Sequence, residues 1–596
     1  MTDEAQADSD LTASNNRPPA RMLRALRALL RSNELALVAA AAVIGLIAAV
    51  CVVAVTQGAI FMHVWIYNLP FDMRLSASDR VSPWAAFPAL ALGGLALGAM
   101  ETFRRVRKIP PPVDPIEANA LRGGRMSLRD SFVVAFQTLL SNGCGASVGL
   151  EAGYAQIGAS LGSFFGQKLR LRRSDLRILV GAGVAAAIGG SFDAPLAGAF
   201  YAFEIVIGAY SIAAAGPVFV GSIVGVLTTQ YLAGAPYRIE THPLHPLAAS
   251  GYPFLFGLAA LACAVGIAAM RTAGMAEKAL EATRLPVWSR PLAGGLFVAA
   301  LATVTPQVLG AGHGALALDI AADLPLAALC AFLALKIVAC LVSLASGFRG
   351  GLFFASLLMG ALLGKIYGLV AVMLAPGLAP DPTICVLAGM ATLGVVIVGG
   401  PLTMAFLVLE NTAEFSVSAG VLAASIAASL IARATFGYSF STWRLHLRGE
   451  NIRSANDIGW IEDLKVGKLM RPLTATAPDW LDLDAFCERF PLGSAQVVAL
   501  TDKNGHYAGL VAVAEAHAKA PIAEGWARDL AHHADIWLAT DMNAKTAMAL
   551  FDRAEADQLV VVEPITGAPV GLLTEPYLAR RYAEKADAAA RNALGL

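Results

Sequence analysis

The sequence predicts an all-α polytopic membrane protein built from broken helices, followed by a smaller α/β domain. Three observations carry this. Of 596 residues, 57% are hydrophobic and 15% are charged, where a soluble domain carries about 25% charged residues. Apolar runs long enough to cross a bilayer recur up to about residue 435, several of them interrupted by glycine and proline. From about residue 449 the composition becomes that of a soluble α/β domain.

Lys+Arg and Asp+Glu both total 44, so net charge gives no reason to expect a nucleic-acid partner. Cys51, Cys263, Cys330, Cys340 and Cys385 lie in apolar runs, and no pair has metal-ligand spacing. They read as small buried hydrophobes, with neither a metal site nor a disulfide framework expected.

Arg17, Arg21, Arg24, Arg27 and Arg31 precede the first long apolar run. That run begins too late and is too long for a signal peptide. The positive-inside rule puts the N-terminus in the cytoplasm, and residues 22–33 read as an interfacial helix. Spans are expected over 35–55 and 84–100; the cluster Arg104, Arg105, Arg107, Lys108 then marks a return to the cytoplasmic face. Prolines 110, 111 and 112 exclude a helix until about residue 115, where Asp114 can cap and Pro115 can open one.

The chain is organised around Ser147-Val148-Gly149-Leu150-Glu151-Ala152-Gly153. A carboxylate at membrane depth costs a few kcal/mol, about 3 at a helix centre, and marks a pathway or a buried partner. Residues 154–169 read as a helix, which puts Glu151 at its N-terminus. Free N–H groups there attract a carboxylate and a dissolved anion alike. A second break, Ser191 to Gly198, restarts a helix at Asp193 and Pro195, with Glu204 and Ile205 following. Further spans are expected near 213–232, 253–273, 290–305, 325–345, 351–374, 383–399, 402–413 and 416–435. A third break, Ser346-Gly347-Phe348-Arg349-Gly350-Gly351-Leu352-Phe353, echoes the first, and matching breaks in two halves point to a midplane substrate site. The breaks offer N–H groups and one glutamate, which favours an anion over a cation. Tyr438 can present a hydroxyl or serve in an interfacial aromatic belt.

Two readings of other classes compete. Gly145-Ala146-Ser147-Val148-Gly149 fits G-x-S-x-G, the elbow of serine hydrolases, but His63, His242, His245, His313 and His446 all fall in loops or at span ends. No enzymatic activity is expected. A divalent-cation transporter needs several acidic residues within the spans, and Glu204 and Glu410 are too few. In the tail, a helix near 481–490, strand 496–501 and Gly509 to Val513 are followed by a similar unit: a helix near 543–554, strand 558–562 and Gly571 to Pro576. An internal repeat of this kind, about 60 residues long, means one motif used twice.

With these motifs in hand, the membrane part resembles the CLC family of chloride channels and chloride/proton antiporters, and the tail resembles a paired CBS module. Gly149-Leu150-Glu151-Ala152-Gly153 corresponds to the family's GREGP, with Gln156-Ile157-Gly158 after it. Gly351 to Ala355 corresponds to GxFxP, and Phe192 to Gly198 to F-N-A-P-L-A-G. The resemblance implies a CLC-like fold with inverted repeats, and a homodimer in the plasma (inner) membrane with both termini cytoplasmic. It implies the divisions 1–33 (basic segment), 34–448 (anion transport), 449–463 (linker), 464–584 (CBS pair) and 585–596 (tail). It makes Glu151 the gate, Gly149, Leu150 and Gly153 the gate loop, and Leu352, Phe353 and Tyr438 the anion ligands. Chloride, or another monovalent anion such as nitrate, is the implied substrate.

The departures bear on mechanism. Leu150 replaces arginine; Gly153 and Ala355 replace prolines. The GSGIP serine falls near Ile109 to Val113, where Pro110 takes its place, a change that goes with nitrate preference in the family. Ile205 stands where antiporters carry an internal proton glutamate, which resembles the channels. Chloride channel-like transport is therefore expected, with chloride or nitrate/proton exchange as the alternative. The ribose-binding aspartates of a CBS pair fall at Glu515 and Tyr577. An adenine nucleotide on the pair is thus one reading and a structural dimerisation cap the other; no cofactor is required.

Overall fold

A computed structural model describes residues 33–582 and 584, apart from 235–243, 245, 284, 323, 414, 448–463, 474 and 521–524, and without the side chains of 321 and 545. The expected interfacial helix before residue 33, the 449–463 linker and the 585–596 tail lie outside the described residues. The chain forms two compact units, Met1–Asn456 and Asp457–Leu596.

The first unit is helical: α1 Glu34–Tyr67, α2 Pro83–Val106, α3 Pro115–Leu121, α4 Leu128–Gly143, α5 Glu151–Lys168, α6 Arg173–Phe192, α7 Pro195–Tyr201, α8 Ile212–Ala233 and α9 Tyr252–Ala282, then α10 Ser289–Ala302, α11 His313–Ala321, α12 Leu326–Ser346, α13 Phe353–Leu374, α14 Pro382–Val398, α15 Pro401–Thr412, α16 Phe415–Thr435 and α17 Phe440–Leu447. Among the described residues, eight helices are long and apolar enough to cross a membrane, as befits an integral membrane protein. The first span runs twelve residues past its expected end, to Tyr67, because no breaker interrupts the apolar sequence before the left-handed Asn68.

The two halves repeat one design. Helices α5 and α6 approach through Gly158 and Gly183, and α13 and α14 through Gly360 and Gly389; a Cβ at any of these four would strike the opposite carbonyl. Close backbone contact of this kind is how helices associate where lipid offers no hydrophobic drive. The segments Pro195–Glu204 and Pro401–Glu410 share Pro, Leu, Ala, Phe and Glu at matching places. Each glutamate caps the other segment's helix. Glu410 accepts from the Leu196 and Ala197 N–H groups at 2.8 and 2.9 Å. Glu204 accepts from Leu402 and Thr403 N–H at 3.1 and 2.9 Å and from Thr403 Oγ1 at 2.7 Å. Between them Phe200 and Phe406 stack at 4.6 Å.

The breaks around Glu151 and Leu352 are tied to each other. Gly149 N–H donates to Gly351 O at 2.9 Å and Gly351 N–H to Gly149 O at 3.0 Å. Asn142 Nδ2 donates to Val148 O, Ser147 N–H to Ser343 Oγ, and Arg349 N–H to Ser141 Oγ. Irregular backbone at membrane depth is tolerated because protein meets these polar groups.

The second unit is α/β. Strands β2 Thr476–Pro478, β3 Val497–Thr501 and β4 Tyr507–Ala512 form one sheet; β1 Arg471–Pro472, β5 Leu538–Ala539, β6 Gln558–Val562 and β7 Pro569–Thr574 form the other, in the order β1-β7-β6-β5. In both, a parallel pair (β2/β3, β5/β6) is followed by an antiparallel pair (β3/β4, β6/β7) with a register shift before its last residue pair. Ala499 and Leu510 from one copy share a core with Val560 and Val562 from the other.

Candidate anion pathway

Glu151 is the first residue of α5, and only 4% of it is exposed. Its carboxylate curls back over the glycine bridge. A Cβ on Gly149 would collide with it, and one on Gly351 would stand 3.1 Å from Oε2. The Phe354 N–H of α13 and Glu151's own N–H lie against this carboxylate. Among the described residues, none gives the buried Oε2 a hydrogen bond. Helix α13 starts with no side-chain cap, so the N–H groups of its first turn remain open to an acceptor.

Glu151 is a wall common to two cavities. The central one, about 160 Å³, is also lined by Pro112, Asp114, Tyr201, Leu352, Phe353, Ser441, Arg349 and Arg444. The second, about 100 Å³, is lined by Leu150, Arg74, His63 and His313. His313 stacks on Phe354 at 3.6 Å. Behind that cavity Lys336, 1% exposed in α12, donates to Gly310 O at 2.8 Å and to Val308 O at 3.3 Å. A third cavity, about 420 Å³, shares Arg349 and Arg444 with the central one and carries Arg104, Arg105, Lys278 and Arg290 against Glu101, Glu277 and Glu281, so cations outnumber acids there. Cations thus border the carboxylate's surroundings on both sides, a field that favours anions.

The structure brings Glu151, Gly149, Leu352 and Phe353 together, with Leu150 on the far side. Gly153 packs on Thr138 of α4, one turn into α5. Two expected ligands are elsewhere. Pro110 is exposed, and it is Pro112 that lines the central cavity. Three consecutive prolines set no fixed register in the sequence. Tyr438 does not line the cavity: its hydroxyl lies 3.3 Å from His446 Nδ1, and its ring stacks on His446 and meets Trp443 at a tilt. Helix α17 begins two residues later, so Phe440 and Ser441 occupy the wall instead. Ile205 sits in a π-helical turn, Ala202–Ile207, against Gly399. Such turns leave carbonyls to other partners, and here Asn119 Nδ2 donates to Val206 O.

Asp114 caps α3, accepting from Ile116 N–H at 2.8 Å, so that helix start already holds a carboxylate. Ser147 is fully buried with Oγ 3.3 Å from Cys340 Sγ, and His63 is held 2.9 Å from Asn142 O; the G-x-S-x-G pattern is a packing element. In the tail, both oxygens of Glu515 are engaged, by His532 at 2.7 Å and Lys519 at 3.3 Å. Tyr577 lies beneath Arg471 and Arg580. Sequence reading missed Tyr201, Ser441, Arg74, Arg349, Arg444 and Lys336. The one available signal was a lone lysine in an apolar span.

A family model described as voltage gated chloride channel matches residues 110–433. A putative chloride channel protein, ClcB-like, from Ralstonia nicotianae is 32% identical over 375 residues, covering 61% of this chain and 86% of that protein. The voltage-gated ClC-type chloride channel ClcB of Salmonella dublin is 30% identical over 400 residues, covering 66% and 95%. Among solved structures, a slow cyanobacterial Cl-/H+ antiporter matches with TM-score 0.60 at 21% identity, over 70% of this chain and 99% of that one. A eukaryotic CLC transporter matches with TM-score 0.58 at 18% identity, over 93% and 98%. With an all-α membrane unit of broken helices and a family match over more than half its length, this chain belongs to the voltage-gated chloride channel (CLC) family.

Proposed function

We propose that the chain carries small monovalent anions across the membrane, with Glu151 as the gate. One observation carries the reading: a single buried carboxylate forms the wall between two cavities while lying against the open N–H groups of α13. The carboxylate and a dissolved anion are alternative occupants of those groups. Protonation removes the charge and frees the amides, so flux rises as pH falls. The names of the ClcB relatives support chloride as substrate. Nitrate is the second candidate, because the segment where the GSGIP serine falls has prolines at 110–112, and Pro112 lines the cavity.

Channel-like conduction is favoured by Ile205 and by Glu204, whose carboxylate is committed to α15. Proton-coupled exchange is the second reading, because Asp114 is a further carboxylate in the cavity that holds Glu151. The C-terminal unit reads as a paired CBS module in the cytoplasm. A structural role suits it better than nucleotide binding, since Glu515 and Tyr577 already have partners. A homodimer in the inner membrane, with both termini cytoplasmic, completes the proposal.

Efflux from liposomes tests the gate: Glu151→Gln should conduct at a rate independent of pH, and persistent pH gating in that variant would sink it. The reversal potential under a proton gradient, in chloride and then nitrate, separates the mechanisms. A channel ignores the gradient; an exchanger follows it.

A further inference from the structure

An anion in the central cavity has left water, and its lost hydration must be replaced by donors. The first turn of α13 supplies N–H groups on one side. The expected side-chain donors do not supply the other: Tyr438 is outside the cavity with its hydroxyl at His446, and Pro112 has nothing to donate. Gln156 also borders the cavity, but its amide is committed to Val113 O at 2.8 Å and Ser131 Oγ at 3.1 Å. Thr138 is committed to Val134 O at 2.9 Å.

Arg349 and Arg444 also line the cavity and bring further donors; among its hydroxyls, two remain. Tyr201 and Ser441 both line the cavity with Glu151, and among the described residues no hydrogen bond ties either side chain to the protein. Tyr201 ends α7, where the backbone widens into the π-helical turn, and its ring is held against Phe353 at 5.7 Å. Ser441 lies in the first turn of α17. The two therefore come from different, independently packed helices, and both border the space beside the Leu352–Phe353 turn.

We infer that the hydroxyls of Tyr201 and Ser441 hold the small anion in the central cavity, opposite the α13 amides. This rests on the anion-transport reading above. Each hydroxyl gives its single O–H to the anion, a charge-assisted bond of the stronger kind.

Calorimetry on the purified full chain tests it, with chloride and with nitrate, in the wild type and in Glu151→Gln, where the carboxylate no longer competes. Tyr201→Phe removes one oxygen and keeps the ring; affinity should fall about tenfold. Ser441→Ala should lower it severalfold, and it carries the test if Tyr201→Phe does not fold. Tyr438→Phe should leave it unchanged. Unchanged affinity in Tyr201→Phe and Ser441→Ala overturns the assignment. So does a loss confined to Tyr438→Phe, or a Tyr201→Phe effect on proton flux alone. Absence of binding in both wild type and Glu151→Gln overturns the transport reading itself, a result distinguishable from the others.

Discussion

Two places in the membrane unit pair a glutamate with a helix N-terminus, and they use the pairing in opposite ways. At the crossing of α7 and α15, Glu204 and Glu410 exchange caps, and every carboxylate oxygen has a donor. At the Gly149–Gly351 bridge, Glu151 sits against the α13 amides with Oε2 unsatisfied and a cavity on either side. The electrostatic attraction is the same in kind. What differs is saturation. A carboxylate with all its bonds met is a fastener; one with a bond open beside two cavities suits the gating role proposed for Glu151.

The largest effect expected from this contrast is on stability. Glu204→Ala or Glu410→Ala strips two backbone donors at once and should each cost about 2 kcal/mol. Thermal unfolding in detergent measures this. Glu151→Gln should leave the unfolding temperature unchanged or raised, since it removes a buried charge. A destabilisation by Glu151→Gln equal to that of Glu204→Ala would erase the distinction. Next comes Gly149→Ala. Its Cβ occupies the place of the Glu151 carboxylate, so the side chain must leave, and anion efflux should lose most of its pH dependence while Glu151 is still present. Efflux with wild-type pH dependence would mean that the carboxylate does not need this position.

The smallest effect lies in the tail. His532, and then Lys519, hold the Glu515 carboxyl below its usual range. A depressed folded-state pKa stabilises above the unfolded value, about 4.3, and that stabilisation is lost as pH falls through the folded pKa. Hydrogen exchange of β4 in the full chain should therefore show a modest loss of protection on acidification below about pH 4.3, and Glu515→Gln should abolish that dependence. The pair is largely exposed, which keeps the effect small.

Several parts of this molecule were legible before any coordinates. The apolar runs gave the long spans except Arg173–Phe192, while Ser289–Ala302 and Pro382–Val398, also read as spans, are shorter helices. The glycines and prolines gave the breaks, because their backbone limits do not depend on neighbours: Asp114 and Pro115 start α3, Pro195 starts α7, and Glu151 opens α5. The doubled unit of the tail was visible as an internal repeat of helix, strand and a glycine-led segment; the short first strand of each copy, β2 and β5, was not. The lining of the candidate anion site was legible only in part. Three consecutive prolines set no register: Pro110, the expected ligand, is exposed, while Pro112 lines the cavity. Tyr438 looked like a ligand because of its place in the chain, but α17 starts late enough to turn it toward His446.

Sequence by itself determined that this chain crosses membranes through interrupted helices, and that one acid lies at such an interruption. Hydropathy and backbone restriction are local properties, and each residue carries its own. Tertiary structure decided which glutamates have every oxygen bonded and which one lies between two cavities, and which hydroxyls line the central cavity. Those outcomes depend on pairings such as Gly149 with Gly351 and Glu204 with Leu402. Such pairings join residues about two hundred positions apart, and only the packing of whole helices brings them within reach of a hydrogen bond.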